Sequence, residues 1–339
     1  MFNPKRVFFE EESLNYELGK RLYERFKNES IEVLMLKSHN RISGIPGKTP
    51  QQAYFEGKNT MVVGVRKTLK FESCKPSANF QLPLVTGCTG KCEYCYLNTQ
   101  LGKKPYIRVY VNVEEILESA GKYIDERKPE LTFFEASATS DPIPVEPYTK
   151  SLTDTINYFG ESQYGRLRFV TKFTDFEEIL TAKHNGNTTI RFSINADNII
   201  KKYEHSTPDI NERIAASFKV IDAGYNIGFI IAPVFIYENY KDDYSQMLGK
   251  LKSSLDKYSD KTIHFEIISH RYTIRAKNTI LEIFPGSTLP MEEEDRKFKF
   301  GQFGYGKYVY TKEALADMHQ YFDREIHRLF RNPEIDYMI

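Results

Sequence analysis

Three of the chain's four cysteines fall within eight residues, in the run Cys88-Thr89-Gly90-Lys91-Cys92-Glu93-Tyr94-Cys95, and the fourth, Cys74, lies a short way upstream. A disulfide framework spreads its cysteines, so this clustering points to a metal centre in a reducing compartment. A structural zinc closes with four N or S ligands, yet Cys74 sits in a separate segment and the nearest following histidine is His184. Three thiolates on one compact loop suit a cubane iron–sulfur cluster, with one iron left open as a substrate or cofactor site. A zinc knuckle with a distant ligand, and buried thiols acting as small apolar residues, are the alternatives. The C-x3-C-x2-C spacing favours the cluster.

Such a loop needs a scaffold. From Leu82 onward β-type and helix-type patterns alternate, with candidate strands at Leu82–Thr86, Leu131–Ala136, Arg166–Thr171, Thr189–Asn195, Gly228–Phe235 and Thr262–Ile268. Amphipathic helices lie between them: Val113, Ile116, Leu117, Ala120 and Ile124 share one helical face, as do Met247, Leu248, Leu251, Leu255 and Tyr258. Six βα repeats imply a parallel sheet that right-handed crossovers curl into a barrel or part of one. Chemistry then sits at the C-terminal ends of the strands, and the cysteines occupy the first βα loop.

Upstream, the patterns predict a helix over Ser13–Lys27, a strand over Ile31–Leu36 and a Gly/Pro-rich link from Ser43 to Pro50. The link contains Gly44-Ile45-Pro46-Gly47-Lys48-Thr49, but Ile42 stands where a phosphate-binding loop needs glycine and Pro50 interrupts the helix that should follow. A plain turn is the better reading. Downstream of Ile268 the alternation stops. The stretch RKFKFGQFGYGKYVY, Arg296 to Tyr310, predicts a basic aromatic hairpin, and Leu315, Met318, Phe322, Ile326 and Leu329 predict a final helix from Lys312 to Phe330 packed on the barrel. The division expected is an N-terminal α/β extension over 1–80, a barrel over 81–285, and a hairpin with packing helix over 286–339.

Length and composition agree with this division. The 339 residues suit about two domains or one large α/β domain with appendages, at roughly 150 residues per domain. With 40% hydrophobic and 27% charged residues the chain is neither disordered nor fibrous. The longest apolar stretch, Ile227 to Tyr237, is too short to span a bilayer, and MFNPKRVFFEEE lacks the apolar centre of a signal peptide, so a cytoplasmic protein with no membrane partner is expected. Lys plus Arg number 47 against 46 Asp plus Glu, so any contact with a polyanion must be a local patch.

The run C-x3-C-x-(aromatic)-C with Tyr94 at the aromatic position resembles the radical S-adenosylmethionine (radical SAM) superfamily. Longer stretches, LVTGCTGKCEYCYLNTQLGKKPYIRVYVNVEEIL, FEASATSDP, YGRLRFVTKF, RFSIN, AGYNIGFIIAPVF and FGYGKYVY, are similar to the spore photoproduct lyase family within it, in order and over nearly the whole chain. The resemblance implies a partial (β/α)6 barrel and a [4Fe–4S] cluster on Cys88, Cys92 and Cys95. It also implies S-adenosylmethionine chelated to the free iron and cleaved to a 5′-deoxyadenosyl radical. Ser140, Lys172, Ser193 and Asn195 would contact the cofactor, with the Ala232 backbone beside its adenine. Tyr94 and Tyr96 flank Cys95 and could stack on adenine or relay a radical, and Glu135 could meet the cofactor's amine.

The implied reaction is repair of a methylene-bridged thymine dimer in double-stranded DNA, inside a spore or germinating cell. A monomer is the default expectation, with an external electron donor such as a flavodoxin or ferredoxin feeding the cluster. The lesion, turned out of the duplex, loses hydrogen from C6, its bridge fragments, and a thiol or tyrosine returns hydrogen.

Two departures from the family pattern bear on that reaction. The family places a hydrogen-donating cysteine where this chain has Ala138, so either Ala138 is an engineered substitution or the donor has moved, and Cys74 is the remaining thiol outside the cluster motif. In the hairpin, Gln302-Phe303 replaces Arg-Tyr. Phe303 keeps an aromatic wedge, while Tyr305 and Lys307 retain the basic aromatic character expected of a DNA-binding surface. A radical SAM enzyme with another nucleic-acid or nucleotide substrate, and a non-catalytic iron–sulfur nucleic-acid-binding protein, are the rival readings.

Overall fold

A computed structural model describes residues 2–29, 31–36, 42–300 and 306–339. Continuous apolar runs such as Val7-Phe8-Phe9 and Met61-Val62-Val63 are buried on both faces, the pattern of parallel strands covered on both sides. They form β1 (Arg6–Glu10), β2 (Glu32–Leu36) and β3 (Thr60–Gly64) of a first sheet. The chain then passes through β4 (Ser73–Cys74), β5 (Ala78–Leu82), β6 (Val85–Thr86), β7 (Lys91–Cys92) and β8 (Ile107–Tyr110). The first sheet has the order β2-β1-β3-β8-β6, parallel except for β6.

Next come β9 (Thr132–Ala136), β10 (Gly165–Thr171), β11 (Thr188–Ile194), β12 (Glu204–His205), β13 (Asn226–Val234) and β14 (Ile263–Ser269). The chain ends with the hairpin strands β15 (Lys297–Phe300) and β16 (Gly306–Val309), then β17 (Pro333–Met338). The larger sheet has the order β4-β5-β9-β10-β11-β13-β14-β17, and β4 alone runs antiparallel. It curls into a half-barrel with β4 and β17 as its two edges. Register aligns Leu82 with Ala136, Thr171 with Phe192, and Ile231 with both Ile194 and Ile267, so the C-terminal strand ends share one rim.

Helices cover the outside as their periodicity predicts. Val113–Arg127 buries Val113, Ile116, Leu117, Ala120 and Ile124, and Tyr240–Ser254 buries Tyr244, Met247, Leu248 and Leu251. Each fully buried aliphatic side chain is worth about 1.5–3 kcal/mol before entropy is counted. No helix among the described residues is long and apolar enough to cross a membrane.

The structure corrects several expectations. The stretch Leu82–Thr86 is two elements, because β5 ends the barrel strand at Leu82 while Val85–Thr86 turns away to pair with β8. Pro50 begins a helix, Pro50–Lys58, where its missing N–H costs nothing, and the Thr49 side chain caps Gln52 N at 3.2 Å. Ser13–Lys27 divides into a 3-10 turn, Glu11–Asn15, and the helix Glu17–Asn28. The return of β8 to the first sheet and the addition of β17 to the second are long-range pairings that local pattern does not announce.

Candidate active site

At the rim, Cys74, Cys88, Cys92, Cys95, Tyr94, Tyr96, Ala138, Ser140, Lys172, Ser193 and Ala232 line one cavity of about 330 Å³. The cysteine loop is held from several sides. Its entry is Gly87, at φ +80° with a Cβ position only 2.2 Å from the Tyr106 carbonyl, which excludes any side chain. Within the loop, Lys91–Cys92 pairs antiparallel with Glu204–His205, and Glu93 N donates to Tyr203 O at 2.9 Å. The Asn98 amide donates to the carbonyls of Cys92 at 3.0 Å and Glu93 at 3.3 Å. From behind, the Lys58 ammonium donates to the carbonyls of Cys88 at 2.7 Å and Gly90 at 2.8 Å.

The polar residues carried over from the resemblance have structural partners of their own. Ser140 Oγ donates to the Gly87 carbonyl, tying β9's exit to the loop entry. Lys172 bonds Ser193 Oγ and lies 3.5 Å from Glu204, whose buried carboxylate also accepts from Tyr94 OH and, at 2.6 Å, from Arg213. These cations and hydrogen bonds outweigh burial and hold Glu204 below the usual carboxylate range. Asn195 does not line the cavity. It is fully buried, donating to the Pro233 carbonyl at 2.8 Å and accepting from Tyr244 OH at 2.7 Å, so it braces the ends of β11 and β13. Glu135 faces inward but pairs with Arg191 and accepts from Ser77 at 2.7 Å. Gln302, Phe303 and Tyr305 lie outside the described residues; Lys307 sits on β16 opposite Lys299.

Several cavity residues went unnoticed in the sequence. Asp141 accepts from Lys172 N at 2.8 Å, and burial lifts its pKa to about 6. Its position beside Ser140 in SATSDP was a usable signal. Arg191 donates to Glu266 at 2.7 Å and to Ser77 at 2.9 Å, and Tyr337 donates to Glu266 at 2.7 Å. Tyr337 comes from a tail with no predicted element. The Cys74 thiol, in the turn that Ser77 anchors, has its pKa pushed up to about 12, chiefly by burial. Tyr96, 51% exposed, donates to the Ala138 carbonyl at 2.9 Å.

The family model for spore photoproduct lyase matches residues 2–339. The chain belongs to the spore photoproduct lyase family. It is 51% identical over 335 residues to the spore photoproduct lyase of Clostridium acetobutylicum, covering 99% of this chain and 98% of that one. Against the Bacillus subtilis spore photoproduct lyase it is 47% identical over 336 residues, again covering 99% and 98%. A solved spore photoproduct lyase complexed with dinucleoside spore photoproduct superposes with a TM-score of 0.97 at 45% identity, covering 100% of this chain and 99% of that one. A double mutant with bound AdoMet and dinucleoside spore photoproduct does so at 0.97 and 46%, with the same coverage.

As a member of the spore photoproduct lyase family the chain is a radical SAM DNA-repair lyase whose cofactors are a [4Fe–4S] cluster and S-adenosylmethionine. The cysteines suit that cluster. Cys88, Cys92 and Cys95 line one cavity from a single loop, the three-thiolate donor set of such a core. The Tyr54 hydroxyl is fully buried beside them, with the Asn98 side chain in reach. Burial and the three cysteines together raise its pKa.

Proposed function

We propose that this chain reverts the methylene-bridged thymine dimer in double-stranded DNA to two thymines, with Cys74 as the hydrogen donor that completes the reaction. The observation that carries the reading is the Cys74 thiol, kept in its S–H form by burial, in the cavity that also holds the three-cysteine loop and Ala138. A related structure supports it. The solved double mutant exchanges one cysteine for alanine and one serine for cysteine, at two positions with the same spacing along the chain as Ala138 and Cys74.

When bound, the cluster and S-adenosylmethionine supply a 5′-deoxyadenosyl radical able to take hydrogen from C6 of the lesion. Once the bridge has broken, Cys74 gives its hydrogen atom to the methylene radical on thymine: the S–H bond breaks, a C–H bond forms, and a thiyl radical remains on Sγ. Tyr96, at the cavity mouth with this thiol, would return a hydrogen atom from its phenol to Sγ, and the phenoxyl radical left would be quenched by the hydrogen that the adenosyl group took from C6 in the first step. Lys172, Ser193 and the Ala232 backbone border the cofactor's share of the cavity, and Tyr94, fixed through Glu204, forms its wall. The β15–β16 hairpin meets the DNA with Lys297, Phe298, Lys299 and Phe300, all exposed, and Lys307 alongside. A monomer in the cytoplasm of the spore-forming cell, reduced by a flavodoxin or ferredoxin, completes the reading.

The test is anaerobic. The reconstituted, reduced enzyme receives S-adenosylmethionine and a dinucleotide carrying the lesion, and thymine release is followed beside 5′-deoxyadenosine, with Cys74→Ala in parallel. Clean repair that collapses to trapped by-products in Cys74→Ala is expected. Undiminished repair in Cys74→Ala overturns the donor assignment, and cofactor cleavage with no thymine release from the parent enzyme overturns the substrate.

A further inference from the structure

Behind the cysteine loop, on the side away from the cavity, one helix face carries a residue that the reaction above does not use. Lys58, the last residue of the helix Pro50–Lys58, is 1% exposed. Its ammonium has three hydrogens. Two go to the carbonyls of Cys88 at 2.7 Å and Gly90 at 2.8 Å, and the ring of Tyr54, one turn earlier on the same helix, lies 5.4 Å from the nitrogen. Carbonyl oxygens and a ring face solvate a cation but do not neutralise it. Among the described residues no carboxylate pairs with Lys58, and buried charges are ordinarily paired.

The neighbouring carboxylates are engaged elsewhere. Glu93 is 2.7 Å from His205, and Glu56 is 2.8 Å from Arg6. Lys91, inside the loop itself, donates to Ser206 Oγ at 3.0 Å and lies over the Phe55 ring, with no carboxylate partner among the described residues. Lys58 and Lys91 thus face the loop without a carboxylate of their own among the described residues, while Asp141 and Glu204 act on Cys88 and Cys92 from elsewhere in the site. Three thiolates outweigh the positive charge of a four-iron, four-sulfide core, so the loaded loop is anionic when oxidised and more so after gaining one electron.

We propose that Lys58 is the counter-charge of the iron–sulfur cluster, placed behind Cys88 and Gly90 to favour the reduced state. Lys91 reinforces it more weakly, because its ammonium is closer to water and better screened. Reduction adds negative charge next to a fixed buried cation. Removing that cation must lower the cluster's reduction potential. The proposal rests on the cluster and not on the lesion or on Cys74, so it survives if either of those assignments fails.

The experiment is a redox titration of the reconstituted holoenzyme without S-adenosylmethionine, followed by the electron paramagnetic resonance of the reduced cluster. Lys58→Gln keeps a hydrogen-bond donor for the two carbonyls but loses the charge, Lys58→Met loses both, and Lys58→Arg keeps the charge. Gln and Met variants are expected to show an about tenfold lower ratio of reduced to oxidised cluster at fixed poise, a shift of about 59 mV for a one-electron couple. Arg stays near the parent. A Gln variant with full iron content and an unchanged potential reduces Lys58 to a tie between helix and loop and overturns the proposal. Should neither neutral variant retain iron, retention in Lys58→Arg supports the counter-charge, whereas loss there too shows that lysine's shape is what matters and overturns it.

Discussion

A thiol returns a hydrogen atom only while it is protonated, so the donor role proposed for Cys74 turns on its surroundings. Burial lifts its pKa from 9.0 to about 12, with Glu135 pushing the same way and Arg191 and Arg168 opposing. The protonated fraction therefore declines only as pH approaches that upper value. The ratio of thymine to trapped by-product is expected to stay flat from about pH 7 to about pH 10, where a thiol at the ordinary value would have lost about tenfold of its S–H form. Product analysis across that range checks it, and a fall centred near pH 9 would place the donor on an exposed thiol. Ala138 contributes differently: its carbonyl receives the Tyr96 phenol, so the backbone there still organises the mouth although the side chain has no transferable hydrogen.

Elements meet at two points where a single change has a large structural effect. Gly87 joins β6 to the cysteine loop, forms a parallel bridge with Ser140, and sits against Tyr106. Gly87→Ala should cost about 1–3 kcal/mol of stability through the left-handed backbone alone, with more from the clash, and should reduce iron bound per chain. Denaturant midpoints and iron analysis read the two effects separately. Across the half-barrel, Arg191 on β11 joins Glu135 on β9 to Glu266 on β14, while Arg168 on β10 reaches Glu266 and Asp336. Arg191→Met leaves two buried carboxylates without their shared cation. A loss of about 3–5 kcal/mol is expected by chemical denaturation.

Over the whole molecule, balanced charge conceals a local asymmetry. The hairpin places Lys297 and Lys299 beside exposed Phe298 and Phe300, the latter 71% exposed, with Lys307 across from Lys299. Its base is fixed: Arg296 lies 3.5 Å from the centre of the Tyr310 ring, and Tyr272 stacks on Tyr308. Lys299→Ala and Lys307→Ala should weaken binding to lesion-bearing duplex and lower the slope of log affinity against log salt by about one unit for each phosphate that is no longer neutralised. Repair of a dinucleotide substrate, which lacks the flanking phosphates, should be unchanged. Filter binding across a salt series and dinucleotide turnover distinguish a DNA-holding surface from one needed for chemistry.

Local patterns in the sequence were enough to place the strands from Leu131 to Ile268 within a few residues, the faces of the covering helices, and the cysteine loop at the mouth of a parallel sheet. Alternation, helical periodicity and motif spacing are properties of neighbouring residues, and burial of one face is all they require. The tertiary structure decided what depends on distant pairing. It split Leu82–Thr86 between two sheets, brought β8 back beside β3, and added β17 with Tyr337 to the cavity. It turned Asn195 into a brace, Glu135 into Arg191's partner and Lys58 into the backing of the cysteine loop. None of these could be derived from spacing, because a buried polar group takes its role from whichever partner the fold delivers within hydrogen-bond reach.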